Sequence, residues 1–163
     1  RFLSVKNDCI EYYDKRHLFS LAGENKYYTA GDTKNIVTIN GWRILLQICF
    51  DLRFPVFSRN NEDYDAIVYV ANWPAKRNLA WKTLLQARAI ENQCYVIGVN
   101  RVGIDGNGHE YSGDTSVIDP LGNIIYTCSK KEDIATIELD RAILEKVRLD
   151  FPFLKERDLF EIK

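Results

Sequence analysis

The sequence predicts an α/β fold, and three stretches predict it. "KNIVTINGWRILLQIC", Lys34 to Cys49, holds two strand-like runs joined by Asn40-Gly41, a dipeptide that supplies the positive backbone angles of a two-residue hairpin turn. "AIVYVAN", Ala66 to Asn72, is a continuous apolar, β-branched run of the kind buried on both faces of a sheet layer. "WPAKRNLAWKTLLQARAIENQ" then changes period: Trp81, Leu84, Leu85 and Ala89 recur about one helical turn apart, with Pro74 near the first turn. Strands interleaved with helices that cover their faces define the class.

The other elements follow in order. "RFLSVKNDCIEYYD" reads as a hairpin around the polar group Lys6-Asn7-Asp8. "RFPVFSRN" is a brief helix or turn starting near Pro55, and "CYVIGVN" returns to strand. "GIDGNG" is a loop or hairpin tip, and "TSVIDPLGNIIYTC" a strand, a Pro-Leu-Gly turn and another strand. "DIATIELD" predicts one more strand, and "RAILEKVRL" a short helix before Pro152; the tail "FPFLKERDLFEIK" lies along a surface. No repeat or low-complexity linker divides the chain, so residues 1–163 are expected to form a single domain.

Composition narrows the function. With 46% hydrophobic and 28% charged residues the chain can build an ordinary core. A formal net charge of -1 offers no concentrated basic face, so the expected partner is a small molecule and not nucleic acid. No apolar run approaches the roughly 18 residues that span a bilayer, and a cytoplasmic location is expected. Cys9, Cys49, Cys94 and Cys128 are scattered without metal-type spacing, and the histidines are His17 and His109 alone. Reduced thiols are expected, and neither metal nor cofactor. The sequence contains no methionine and opens on what reads as a strand in progress, so the amino-terminal portion of the domain is expected to be missing.

In "LLQICFDLRFPV" a single cysteine stands where an apolar run meets a charged, aromatic segment. A strand cysteine is ordinarily a small buried hydrophobe. At a strand end, however, a sharp turn exposes the side chain and aims backbone N–H groups at the same space, which suits an oxyanion. Cys49 occupies such an end, with the N–H of Phe50 as the donor.

Three segments carry a resemblance: "YDKRHLF" at Tyr13 to Phe19, "ICFDLRFPV" at Ile48 to Val56, and "ANWPAKRNLAWKTLLQARAIENQCYVIGVNRVG" at Ala71 to Gly103. They closely resemble the nitrilase superfamily of carbon-nitrogen hydrolases, nearest to the omega-amidases, and the similarity continues through "YSGDTSVIDPLG" over nearly the whole chain. The resemblance implies the carboxyl-terminal part of a four-layer α-β-β-α sandwich and a homodimer packed through the long helix. In that family a glutamate, a lysine and a cysteine do the chemistry, with a second glutamate nearby. Cys49 matches the nucleophile, Lys15 the lysine and Glu24 the second glutamate; the general-base glutamate has no counterpart here.

The implied roles follow from charge. Lys15 would favour the Cys49 thiolate and, with the Phe50 N–H, stabilise the oxyanion. The missing glutamate would move protons to and from thiol, ammonia and water. Arg53 could fork onto a substrate carboxylate, as suits the omega-amide of a 2-oxo dicarboxylic acid, or form a structural ion pair with Asp51 or Glu91. Asn72 and Trp73 would wall the pocket, although Trp73 could equally be core. Without the resemblance Lys15 reads as a solvated lysine of a hairpin and Glu24 as a loop carboxylate. Arg88 and Glu91 would pair with each other or across a subunit boundary, or else form a solvated charged face of the helix. His109 tempts a papain-like Cys-His reading, but it sits at a glycine-rich loop tip without an asparagine partner. The expected activity is hydrolysis of a small amide through a cysteinyl thioester. Nitriles and N-carbamoyl amines are alternatives within the family, and a non-catalytic fragment or binding subunit is the alternative outside it.

Overall fold

The computed structural model describes residues 1–6 and 9–162. The opening segment forms strands β1 (Phe2–Lys6) and β2 (Cys9–Tyr13), paired antiparallel in a two-stranded sheet with Phe2 opposite Tyr13 and Lys6 opposite Cys9. The turn at Asn7-Asp8 lies outside the described residues. Strands β3 (Ile36–Ile39) and β4 (Trp42–Ile48) flank Asn40 and Gly41, whose φ values of 48° and 81° make the type of turn the dipeptide predicts.

From β4 the chain makes a 3-10 turn, Cys49–Arg53, and a four-residue helix α1 (Pro55–Ser58) before β5 (Ala66–Ala71). Helix α2 (Asn78–Asn92) then leads into β6 (Tyr95–Asn100). Both crossovers are β-α-β units, and β4, β5 and β6 are parallel neighbours in a seven-stranded sheet. β3 pairs β4 on one side. On the other, β8 (Glu110–Ile118) runs antiparallel to β6 and to the short β7 (Val102–Ile104), and β9 (Ile124–Ser129) pairs with the far edge of β8.

The alternation along β4 decides which side chain meets which layer. Leu45 joins Ile67, Tyr69 and Val96 under Trp81, Leu85 and Ala89 of α2. Leu46 points to the opposite face and packs with Val37, Phe57 and Tyr13, which brings the β2 end against the sheet. Helix α2 sits close: a Cβ on Gly98 would come within 2.5 Å of the Leu85 side chain and 2.9 Å of Trp81. The fold is thus mixed α/β, with two sheets and helices packed on them.

Pro74 stands just before the long helix, separated from it by a 3-10 turn, Ala75–Arg77, whose Arg77 carbonyl accepts the Trp73 indole N–H at 2.9 Å. One expectation needed correction: "DIATIELD" forms no strand. Its alternation finds no neighbouring ladder, and Ile134 is 99% exposed. Helix α3 (Arg141–Asp150) follows as predicted, capped by the Asp140 carboxylate accepting the Ala142 N–H at 2.7 Å. No helix among the described residues is long and apolar enough to cross a membrane.

Candidate active site

The parallel strands end along one edge, with Ile48 opposite Val70 and Ala71 opposite Asn100. Open α/β sheets offer their binding crevice at the carboxyl ends of such strands. At that edge Cys49 leaves β4 with φ 48°, in the left-handed region that disfavours side chains. The strained turn lifts the thiol off the sheet, and Sγ comes 4.0 Å from the Asn72 carbonyl oxygen at the end of β5.

Lys15 arrives from the loop after β2. Its Nζ lies 2.6 Å from Glu24 Oε2, and the same oxygen accepts the Phe19 N–H at 2.8 Å. One carboxylate therefore holds the ammonium and closes the loop that carries it. Lys15, Glu24, Cys49, Phe50, Arg53, Asn72 and Trp73 all line one cleft of about 1330 Å³. Sequence separation hid this convergence; the strand order produces it.

Burial pushes the Cys49 thiol above its ordinary pKa, and the Lys15 charge and the Asn72 hydrogen bond only partly pull it back, against Glu24 and Asp51 pushing the same way as burial. Lys15 favours the thiolate, as expected from its charge, but burial outweighs it. The balance of these causes favours the thiol over the thiolate.

The ion pairs weighed for Arg53 do not form. Asp51 is filled by Tyr13, His17 and Ile48, and Glu91 pairs with Arg88 at 2.9 Å. Arg53 instead lies over the Trp73 ring, 5.1 Å from its centroid. Trp73 is core and wall at once: it is 3% exposed and packed in the main cluster, yet borders the cleft. Asn100 fixes it there, accepting the Trp73 N–H at 2.7 Å and donating to its carbonyl at 3.0 Å. Arg88 braces the Cys49–Arg53 turn from α2, donating to the Leu52 carbonyl at 2.6 Å.

Lys76 and Arg77 were not singled out from sequence, and both line the cleft. Arg77 sits over Phe19, 5.2 Å from the ring centroid, so it reaches from the turn after β5 to the lysine loop. Its place four residues after Trp73 was the available signal. Among the described residues Arg53, Lys76 and Arg77 make no ion pair, whereas the carboxylates of the cleft are engaged, Asp14 by Arg1 at 2.8 Å and Glu24 by Lys15. His109 also borders the cleft, but the hydrogen bond from the thiol goes to the Asn72 carbonyl and not to an imidazole. No group of three or more metal-ligating side chains occurs among the described residues.

A cysteine on a parallel-strand elbow thus shares one cleft with a lysine held by a glutamate. The carbon-nitrogen hydrolase family model matches residues 2–149, and the chain belongs to that family. It is 52% identical over 164 residues to the omega-amidase YafV of Escherichia coli K12, covering 99% of this chain and 64% of that protein. The 2-oxoglutaramate amidase of Bacillus subtilis is 35% identical over 93% of this chain and 60% of its own length. Among solved structures, a CN-hydrolase superfamily protein of Xanthomonas campestris with an arsenic adduct in its active site superposes with a TM-score of 0.95. It is 46% identical, over 96% of this chain and 62% of that one. The chain thus spans just under two-thirds of the length of these relatives.

Proposed function

We propose that the protein hydrolyses the omega-amide of a 2-oxo dicarboxylic acid, such as 2-oxoglutaramate or 2-oxosuccinamate, through a cysteinyl thioester. The observation that carries the reading is the cleft itself: Lys15 and Cys49 share it with three cations that have no carboxylate partner among the described residues. A pocket so charged favours an acyl group that carries its own carboxylate, and Arg53 is the group to fork onto it. The omega-amidase and 2-oxoglutaramate amidase relatives support the same substrate class.

In the reaction a base takes the Cys49 proton and sulfur attacks the amide carbon. Negative charge builds on the amide oxygen, where the Phe50 N–H and the Lys15 ammonium meet it. Collapse breaks the carbon-nitrogen bond, and the base returns its proton to departing ammonia. Water, deprotonated by the same base, then attacks the thioester; sulfur leaves as the thiol and the acid is released. Glu24, already bound to Lys15 and the Phe19 N–H, keeps the lysine in place. The base itself matches no residue here, and its supply is assigned to further chain in the active protein. The same reading makes that protein a cytoplasmic homodimer joined through α2, whose Leu79 and Ile90 remain exposed; sedimentation of the full-length protein tests the dimer.

The experiment is ammonia release from 2-oxoglutaramate by this 163-residue chain and by a longer chain carrying the upstream part, each with Cys49→Ala as blank. Turnover only by the longer chain is expected. Cys49-dependent turnover by the short chain overturns the account of the base, and no turnover by either favours a binding subunit.

A further inference from the structure

Between the nucleophile and the lysine lies a buried carboxylate that the proposed chemistry does not use. Asp51 is fully buried in the turn that begins at Cys49. Its Oδ1 accepts the His17 backbone N–H at 3.0 Å and lies 2.8 Å from His17 Nδ1, which must carry the proton to face a carboxylate. Its Oδ2 accepts the Tyr13 hydroxyl at 2.9 Å and the Ile48 N–H at 3.0 Å. The Tyr13 oxygen in turn accepts the Arg16 N–H at 3.1 Å. The His17 ring is clamped flat on Phe54, 3.8 Å between centroids at 6°.

The positions of these donors matter more than their number. Tyr13 and His17 stand two residues before and two after Lys15, while Ile48 and Asp51 bracket Cys49. We infer that Asp51 is a positioning residue that sets the distance between lysine and nucleophile by fastening the chain on both sides of Lys15 to the chain on both sides of Cys49. Four donors converge on one side chain, and only a carboxylate offers four acceptor positions. An asparagine there would turn an NH₂ toward two of the donors. Lys15 and Cys49 follow strands of separate sheets, β2 and β4, so no continuous ladder holds their spacing.

The inference rests on the pairing of Lys15 with Cys49 proposed above, and the test separates the two. The charged or titratable groups that act on the thiol are Lys15 from the loop after β2, Glu24 from the following 3-10 turn, Asp51 from its own turn and Tyr111 from β8. In the full-length protein, the rate of iodoacetamide alkylation at Cys49 is followed against pH by peptide mass, which resolves it from the other cysteines. Lys15→Met, the control, raises the alkylation midpoint if the pairing is right. Asp51→Asn is expected to raise it toward the Lys15→Met value and to lower kcat about 100-fold with KM nearly unchanged, as for a reacting group displaced by about an ångström.

The sign decides. Removing a negative charge beside a thiol lowers its midpoint, so a fall or no change in Asp51→Asn overturns the positioning role. In the Lys15→Met background Asp51→Asn is expected to give no further rise; an additional rise overturns it also. Tyr13→Phe removes one donor and leaves the carboxylate in place. It should raise the midpoint partway, and it carries the test should Asp51→Asn fail to fold, with an unchanged midpoint counting against the inference. If Lys15→Met itself is silent, the Lys15–Cys49 pairing falls and the role of Asp51 falls with it.

Discussion

Asp51 and Asp65 are both buried carboxylates at ends of the parallel strands, and they are satisfied in opposite ways. Asp65 precedes β5 at the end remote from the cleft and is met by guanidinium groups: Arg43 at 2.7 Å, Arg148 at 3.2 Å and Arg141 at 3.8 Å. Asp51, two residues after Cys49, is met by a hydroxyl, an imidazole and two backbone N–H groups. At the remote end cations compensate a structural charge. At the cleft end hydrogen bonds do so, and the cations stay available for what enters. The two ends of the parallel strands thus satisfy a buried carboxylate by different means.

The largest expected effect breaks the cleft end alone. Cys49→Ala should abolish amide hydrolysis by the full-length protein while leaving its Tm within a few degrees, since one sulfur is removed from a partly exposed site; an active, folded variant would refute the nucleophile. The mirror experiment attacks the remote end. Asp65→Ala leaves three partly exposed arginines facing an empty site and should cost about 1–3 kcal/mol, a drop in Tm of roughly 5 °C for a chain of this size. Its Cys49 alkylation profile should not move, and a shifted profile would mean that the two ends are coupled.

A smaller effect sharpens the assignment of the free cations. Arg53→Gln should raise KM about 10-fold or more for an amide bearing a carboxylate, and change it less than twofold for a neutral amide of the same length. Equal losses on both would return Arg53 to a packing role over Trp73. The smallest effect is a pH slope. Burial pushes Asp65 up, but the Arg43 hydrogen bonds outweigh it and hold its carboxyl below the ordinary range; Asp114 is likewise held down, chiefly by Lys82, Ser112 and Ser129 against its own burial. A depressed carboxyl contributes stability that is complete above its unfolded pKa of about 3.9 and is lost as pH falls through the lower folded value. Tm should therefore decline below about pH 4, and less steeply in Asp65→Asn.

Much of this was legible along the chain because it is local. Asn40-Gly41 specifies a turn through its own backbone angles, and Trp81, Leu85 and Ala89 mark the buried face of α2 by spacing alone. Cys49 stood out by the change of composition around it, and the lysine and second glutamate by resemblance. "DIATIELD" misled because alternation states only a preference for two faces, while a strand also needs a neighbour with free hydrogen-bonding groups. Arg77 was passed over, and Asp51 named only as an ion-pair partner for Arg53, because nothing nearby in sequence distinguishes them from a solvated arginine and a turn aspartate.

By itself, then, the sequence determined most of the elements, the hydrophobic faces that order them and the candidate nucleophile, each of which depends on residues within a turn or two of one another. Only the tertiary structure decided that Lys15, Glu24, Cys49 and the cations share one cleft, that burial outweighs Lys15 at the thiol, and that Asp51 joins two segments 34 residues apart. Those outcomes depend on distance and solvent exclusion, and both arise when the parallel strands end together and the β2 loop is packed against them.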